Sequence, residues 1–210
     1  MMEVRSDMST APMTDIHPGF ETHVLDDGHR FLVGRLPGEL CPDTAGFEIL
    51  WDLHPSDHDV IQMLGRPVKL PRWQQAYGKD YHFSGRTSEA QPIPTVLDPF
   101  LGWSRERIDD RLNGLLLNWY DGALGHYIGP HNDETTGLVP GVPIVTVSFG
   151  EERIFRLTHP KLKLTRDLQA EAGTVFVMPH DTNDAWKHSV PKFARYRGRR
   201  ISITLRAFQP

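Results

Sequence analysis

Cysteine is nearly missing from this chain: Cys41 stands alone in 210 residues. An internal disulfide is therefore impossible, and a metal cluster built on thiolates is excluded. That usage suits a reducing compartment, so a cytoplasmic location is expected. Long apolar runs are missing too. No stretch reaches the ~18 apolar residues of a membrane span, so no membrane partner is expected. The opening MMEVRSDMSTAPM lacks the apolar core of a secretory signal, and residues 1–16 read as a disordered leader. Internal repeats and low-complexity tracts are absent.

What is present suits a folded domain with a sizeable core, 39% hydrophobic and 24% charged. A monomer is the default expectation. Eleven histidines make imidazole the natural ligand if a metal is held. The net charge of −4 is unevenly spread. Residues 1–60 carry 12 acids and 3 bases, whereas the remainder carries 15 acids and 20 bases. Two basic runs stand out. Arg66, Lys69, Arg72, Lys79 and Arg86 face only Asp80 within 65–88. Lys187, Lys192, Arg195, Arg197, Arg199 and Arg200 face no acid within 187–200. Such runs are usually solvated faces, but the asymmetry also fits a surface turned toward nucleic acid.

Local signals predict a mixed chain with an all-β C-terminal half. Ser56-Asp57-His58-Asp59 reads as the capped start of a short helix ending near Gly65. A second helix is expected over about Thr95–Leu112, with Pro99 near its start. Strands are expected at 115–120, 143–150, 153–157, 173–178 and 201–206, punctuated by Gly, Pro and Asp. Short strands of this kind suggest a sandwich or barrel.

One candidate metal clasp is GPHNDE, at 129–134. Side chains two apart on an extended segment point the same way, so His131 and Asp133 could grip one ion. Chance alone supplies about 1.4 His-x-acid triplets in such a composition, so a third ligand must decide. His188 ranks first, with His180 and His126 as competitors. Two imidazoles and one carboxylate leave open positions on the ion, the arrangement of non-haem Fe(II) oxygenases. The strand 199–206 then matters. Arg200, Ser202, Thr204 and Arg206 share one parity, and Ile201, Ile203 and Leu205 share the other. An arginine fork beside such an ion suits a carboxylate-bearing co-substrate; either both arginines lean inward on one small dicarboxylate, or Arg200 serves its far carboxylate while Arg206 supports the metal end.

Six stretches in order, PRWQQAYGKDYHFSG, LLNWYDG, HNDE, PIVTVSFGEERIFRL, MPHDTNDAWKHSVP and RRISITLR, make residues from about 70 to 208 resemble the AlkB family. Its members are Fe(II)- and 2-oxoglutarate-dependent dioxygenases, and the likeness is greatest to the branch with the animal DNA repair demethylases. The resemblance implies an α+β, mainly β fold. Its core would be a double-stranded β-helix, or jelly roll, over 113–210. Residues 17–112 would form an N-terminal α/β extension carrying a substrate lid, in one structural unit with the core.

The resemblance also implies roles. His131, Asp133 and His188 would be the catalytic iron ligands. Arg200 and Arg206 would hold 2-oxoglutarate with Asn118, Tyr120 and Ser202, the last standing where relatives commonly have asparagine. Arg72, Tyr81, Phe83 and Ser84 would grip an extruded nucleotide, with Glu134 and Thr135 near the base. Relatives often place an acid at the position of Thr135, whereas here Glu134 comes one residue earlier. The implied reaction uses Fe(II), 2-oxoglutarate and O2 to demethylate N-alkylated bases in DNA or RNA, releasing formaldehyde, succinate and CO2. Tyr81 and Phe83 would offer faces for stacking, or else simply pack in the core, and the basic runs would meet phosphates. Two other readings remain: a hydroxylase of a small molecule or protein side chain on the same fold, and a non-catalytic jelly-roll binding module.

Overall fold

A computed structural model describes residues 19–63, 65–83 and 85–210. The expected leader at 1–16 and the candidate Ser84 lie outside those residues. In chain order the elements are β1 (Glu21–Val24), β2 (Arg30–Arg35), α1 (Thr44–Trp51), β3 (Val60–Met63), β4 (Arg66–Lys69), β5 (Trp73–Tyr77), β6 (Tyr81–Phe83) and β7 (Arg86–Ser88). Then come α2 (Asp98–Arg107), β8 (Gly114–Asp121), β9 (Ile128–His131), β10 (Ile144–Gly150), β11 (Arg153–His159), β12 (Leu164–Ala170), β13 (Thr174–Met178), α3 (His180–Ala185), β14 (Lys187–Val190) and β15 (Arg199–Arg206).

The strands form two main antiparallel sheets. One has seven strands in the order β1-β2-β13-β10-β15-β8-β5, and the other has four in the order β12-β11-β14-β9. Neighbours in both are mostly distant in sequence, as a jelly roll requires. The stretch 17–112 adds β1 and β2 to one end of the larger sheet and β5 to the other, and β3–β4 and β6–β7 form two separate hairpins.

Period-two alternation on β15 builds the core. Ile201, Ile203 and Leu205 are fully buried in one apolar cluster with Val145, Val147, Leu115, Leu117 and Trp119. Phe100 and Leu101 of α2, with Leu50 and Trp51 of α1, belong to the same cluster. Trp119 donates its indole N–H to the Leu50 carbonyl at 2.9 Å, which leaves no unmet donor there. The opposite parity of β15 faces the second sheet. It is buried as well, with Arg200, Ser202, Thr204 and Arg206 all under 8% exposed. The polar face is thus enclosed rather than wet.

Two helix expectations need correction. Residues 56–63 do not form a helix. They lead into the β3–β4 hairpin, where Val60 pairs with Lys69 and Ile61 with Val68. Gly65 adopts φ +75°, a conformation suited to glycine in a tight turn, and β-branched Val60, Ile61 and Val68 favour strand. Ser56 caps nothing, its hydroxyl lying instead on Asp57. The second helix is a single 3-10 turn at Thr95–Leu97 followed by α2, which ends at Arg107 instead of Leu112. The C-terminal half is not purely β either, because α3 sits between β13 and β14. The helix α1 was not expected. Its N-cap is Asp43, whose carboxylate accepts from the Gly46 amide at 2.8 Å.

Candidate metal and co-substrate site

Strand pairing brings the site together. His131 on β9 and His188 on β14 are direct cross-strand partners, despite 57 intervening steps of chain. Their ring centroids lie 4.2 Å apart. Asp133 follows two residues past His131. Its Oδ1 lies 3.6 Å from Nε2 of His131 and 3.6 Å from Nε2 of His188. Among the described residues these three form the one cluster whose ligand atoms all fall within 4.8 Å of each other. Ligands about 2.1 Å from an ion at near-right angles sit about 3 Å apart, so a small contraction would seat a divalent ion.

The competing histidines lie elsewhere. His180 faces Asp184 within α3. His126 packs edge-on against Trp73 and His58.

Each ligand is held in a different way. His131 Nδ1 lies 2.9 Å from the Gly129 carbonyl, which fixes that nitrogen as donor and leaves Nε2 as the lone-pair atom. His188 stacks on Phe155, with centroids 5.5 Å apart and planes 11° apart, while its Nδ1 has no hydrogen-bond partner. Burial, then the neighbouring His131, pushes His188 down to about 3, so its ring is neutral and able to ligate. Burial alone would raise the Asp133 carboxyl. Arg206 outweighs it, aided by the two imidazoles, and holds the group well below the usual range. Arg206 donates Nη2 to Asp133 Oδ2 at 2.6 Å and Nε at 3.2 Å. The resemblance gave Arg206 to the co-substrate, but two of its nitrogens here support a metal-ligand candidate.

One cavity of about 550 Å³ holds the triad and both arginines. Its floor follows from the β8–β15 register, which sets Arg200 opposite Tyr120 and Ser202 opposite Asn118. Arg200 is completely buried. It donates Nη2 to Ser148 Oγ at 2.8 Å, and its Nε and Nη1 have no partner. Burial lowers it to about 10, although Tyr120 opposes that shift, with its ring 5.2 Å from the guanidinium carbon. A buried fork with two open donors is built for a carboxylate. These residues fit a 2-oxoglutarate anion as well as the triad fits iron.

The nucleotide candidates divide. Arg72, Tyr81, Phe83, Glu134 and Thr135 all line the cavity, together with Ile61 and Leu70, which were not singled out from sequence. Tyr81 is not a free platform: it is 6% exposed, packs with Ala76 and Leu116, and has the Arg206 guanidinium 4.3 Å over its ring. Phe83, half-buried beside it, is the more open face. Arg72 is buried and donates to Asn118 at 2.8 Å and to Gln74 at 2.9 Å, so it braces the side chains of β8 and β5. Glu134 turns back to accept from the Thr136 amide and hydroxyl. The segment 132–135 is not strand, so simple alternation does not set these directions.

The basic runs also divide. Arg72 and Arg200 face the cavity, Arg86 pairs with Asp59, and Arg199 pairs with Glu48. Arg66, Lys69, Lys192, Arg195 and Arg197 remain exposed. Gln74, Thr146, Ser148, Phe155 and Asn183 were not singled out from sequence. Four lie on strands whose facing could be read only after pairing was known.

The family model described as the 2OG-Fe(II) oxygenase superfamily matches residues 53–206. The DNA oxidative demethylase ALKBH2 of Mus musculus is 33% identical over 161 residues, covering 71% of this chain and 67% of that protein. The Homo sapiens protein of the same name is 32% identical, covering 70% of this chain and 60% of its own length. The alpha-ketoglutarate-dependent dioxygenase alkB homolog 3 of Rattus norvegicus is 30% identical, over 67% of this chain and 51% of the relative. These matches thus span about half to two thirds of the relatives. A solved structure, that of OsALKBH1, superposes with a TM-score of 0.57 at 17% identity, covering 89% of this chain and 99% of that one, and so shares the fold.

Proposed function

The chain belongs to the AlkB family of the 2OG-Fe(II) oxygenase superfamily, and on that premise we propose that it oxidatively demethylates N-alkylated bases in DNA or RNA. It is a dioxygenase that uses Fe(II), 2-oxoglutarate and O2. The single observation that carries the proposal is the continuous cavity. Its lining contains the His131–Asp133–His188 cluster, the open Arg200 fork and the apolar side chains of Ile61, Leu70 and Phe83.

In this reading His131, Asp133 and His188 hold Fe(II). Arg200 takes the far carboxylate of 2-oxoglutarate, with Tyr120 and Ser202 beside it. Arg206 holds Asp133 ionised and aimed. With the co-substrate and O2 bound, iron held there would supply the oxidising power to hydroxylate an N-methyl carbon, whose hydroxymethyl product would release formaldehyde and leave the restored base. The chain's own work is placement, which converts a diffusive encounter into an aligned one. Ile61 of β3 and Tyr81 and Phe83 of β6 line the cavity, and in this reading a base leaves its stack to enter it. Phe83 then offers a face to the base, and Thr135 and Glu134 border it. The exposed Arg66, Lys69, Lys192, Arg195 and Arg197 are available to phosphates. Among the described residues, no helix is long and apolar enough to cross a membrane.

The test is a panel of DNA and RNA oligonucleotides carrying different N-methylated bases, assayed with Fe(II), ascorbate and 2-oxoglutarate. Formaldehyde release matched by succinate is expected for at least one base. Steady 2-oxoglutarate turnover with every methylated base left intact would reject the nucleic-acid substrate and favour the small-molecule or protein hydroxylase. Complete absence of iron-dependent succinate would favour the binding module.

A further inference from the structure

Two of the three ligand candidates are placed by the sheet, since His131 and His188 are paired residues of β9 and β14. Asp133 is not. It lies beyond the end of β9 in a segment without strand pairing, so its position must come from elsewhere. Arg206 holds its carboxylate. Its main chain is held by Asn183 of α3, a residue 1% exposed. The Asn183 side chain accepts from the Asp133 amide at 2.9 Å and donates to the Asp133 carbonyl at 3.1 Å. Asn132 completes the clasp from the other direction, donating its side-chain amide to the Asn183 and Trp186 carbonyls at the end of α3. The helix itself is anchored away from the site. Thr182 donates to the Arg30 carbonyl at 2.8 Å, and Trp186 donates to Asp26 at 2.9 Å.

We propose that Asn183 is a positioning residue for the metal site: it fixes the Asp133 backbone so that Oδ1 is aimed before any ion arrives. The inference rests on the ligand set of the proposed function. Its physical content is that ordering the 132–133 segment occurs on folding, so the ion need not supply that entropy on binding. Because α3 leads directly into β14, the same side chain also ties the Asp133 limb to the His188 limb.

The test uses the full chain, without 2-oxoglutarate or oxygen, and Mn(II) as probe. Asn183→Ala is expected to weaken Mn(II) binding at least about tenfold, as loss of a ligand-orienting partner does. With Fe(II) it should raise KM for iron while leaving kcat at saturating iron nearly unchanged. Thr182→Val removes a buried bond from the same helix without touching the site. It should lower the melting temperature yet keep wild-type Mn(II) affinity. Asn183→Asp retains the accepted bond but not the donated one and should bind Mn(II) with intermediate affinity. It decides the matter if the alanine variant does not fold, because wild-type affinity in it would overturn the proposal. Equal Mn(II) affinity in Asn183→Ala and wild type would also overturn it, as would equal weakening in Thr182→Val. A wild-type chain that takes up no Mn(II) would refute the ligand set itself.

Discussion

Arg200→Met should move stability and co-substrate affinity in opposite directions. The guanidinium is fully buried, and two of its nitrogens lack partners. Burial lowers it well below the usual arginine range, to about 10. At about 1.4 kcal/mol per unit, keeping it charged at neutral pH costs roughly 3 kcal/mol. Methionine removes that cost and fills similar space, but it forfeits the bond to Ser148, worth about 1 kcal/mol. The chain without 2-oxoglutarate should therefore gain about 2 kcal/mol, or roughly 5 °C in Tm for a domain of this size. The anion loses its charged fork. A loss of about 3 kcal/mol corresponds to roughly a hundredfold weaker Kd. Thermal melts with Mn(II), with and without 2-oxoglutarate, measure both effects, and calorimetry gives Kd. The expected result is a higher baseline Tm that 2-oxoglutarate no longer shifts. A variant that melts below the wild type and still responds fully to 2-oxoglutarate would refute the reasoning.

Asp133→Ala should abolish Mn(II) uptake and leave Arg206 as an unpaired buried cation. Destabilisation of about 3–5 kcal/mol is expected in urea melts; a loss under 1 kcal/mol would mean the ion pair is not closed in solution. Tyr81→Leu removes the ring beneath Arg206 and should cost about 1–2 kcal/mol, whereas Tyr81→Phe keeps that face and should cost well under 1 kcal/mol; equal losses would tie the effect to the hydroxyl. His126 is pushed down to about 4 by burial first and by His58 next, while Asp121 opposes. The unfolded chain therefore takes up this proton first. The contribution is intact above about pH 6.5 and is lost toward pH 4, by roughly 2 kcal/mol after allowance for partial solvation. His126→Asn, which keeps an acceptor for the Asp121 amide, should flatten the stability profile of the metal-free chain between those limits. An unchanged slope would remove His126 from the account.

Some of this molecule could be read without coordinates. β-Branched runs bounded by Gly and Pro mark strands at 143–150, 153–157, 173–178 and 201–206, and the structure has strands there with ends shifted by one or two residues. The two faces of β15 follow from alternation, because a strand has no other way to distribute its side chains. The hairpin at 60–69 was misread because acids and a serine before an apolar run mimic a helix start. Only the turn at Gly65 and the pairing of Val60–Met63 with Arg66–Lys69 show otherwise.

Residue types alone determined that a metal here would rest on nitrogen and oxygen, and that one strand would bury isoleucine and leucine while turning arginine the other way. Tertiary structure decided which histidine stands opposite His131, that Tyr81 lies beneath Arg206, and that Asn183 grips Asp133. Alternation is a property of each strand by itself. The choice among His126, His180 and His188 depends on which strands pair and in what register, and that is an outcome of the whole core.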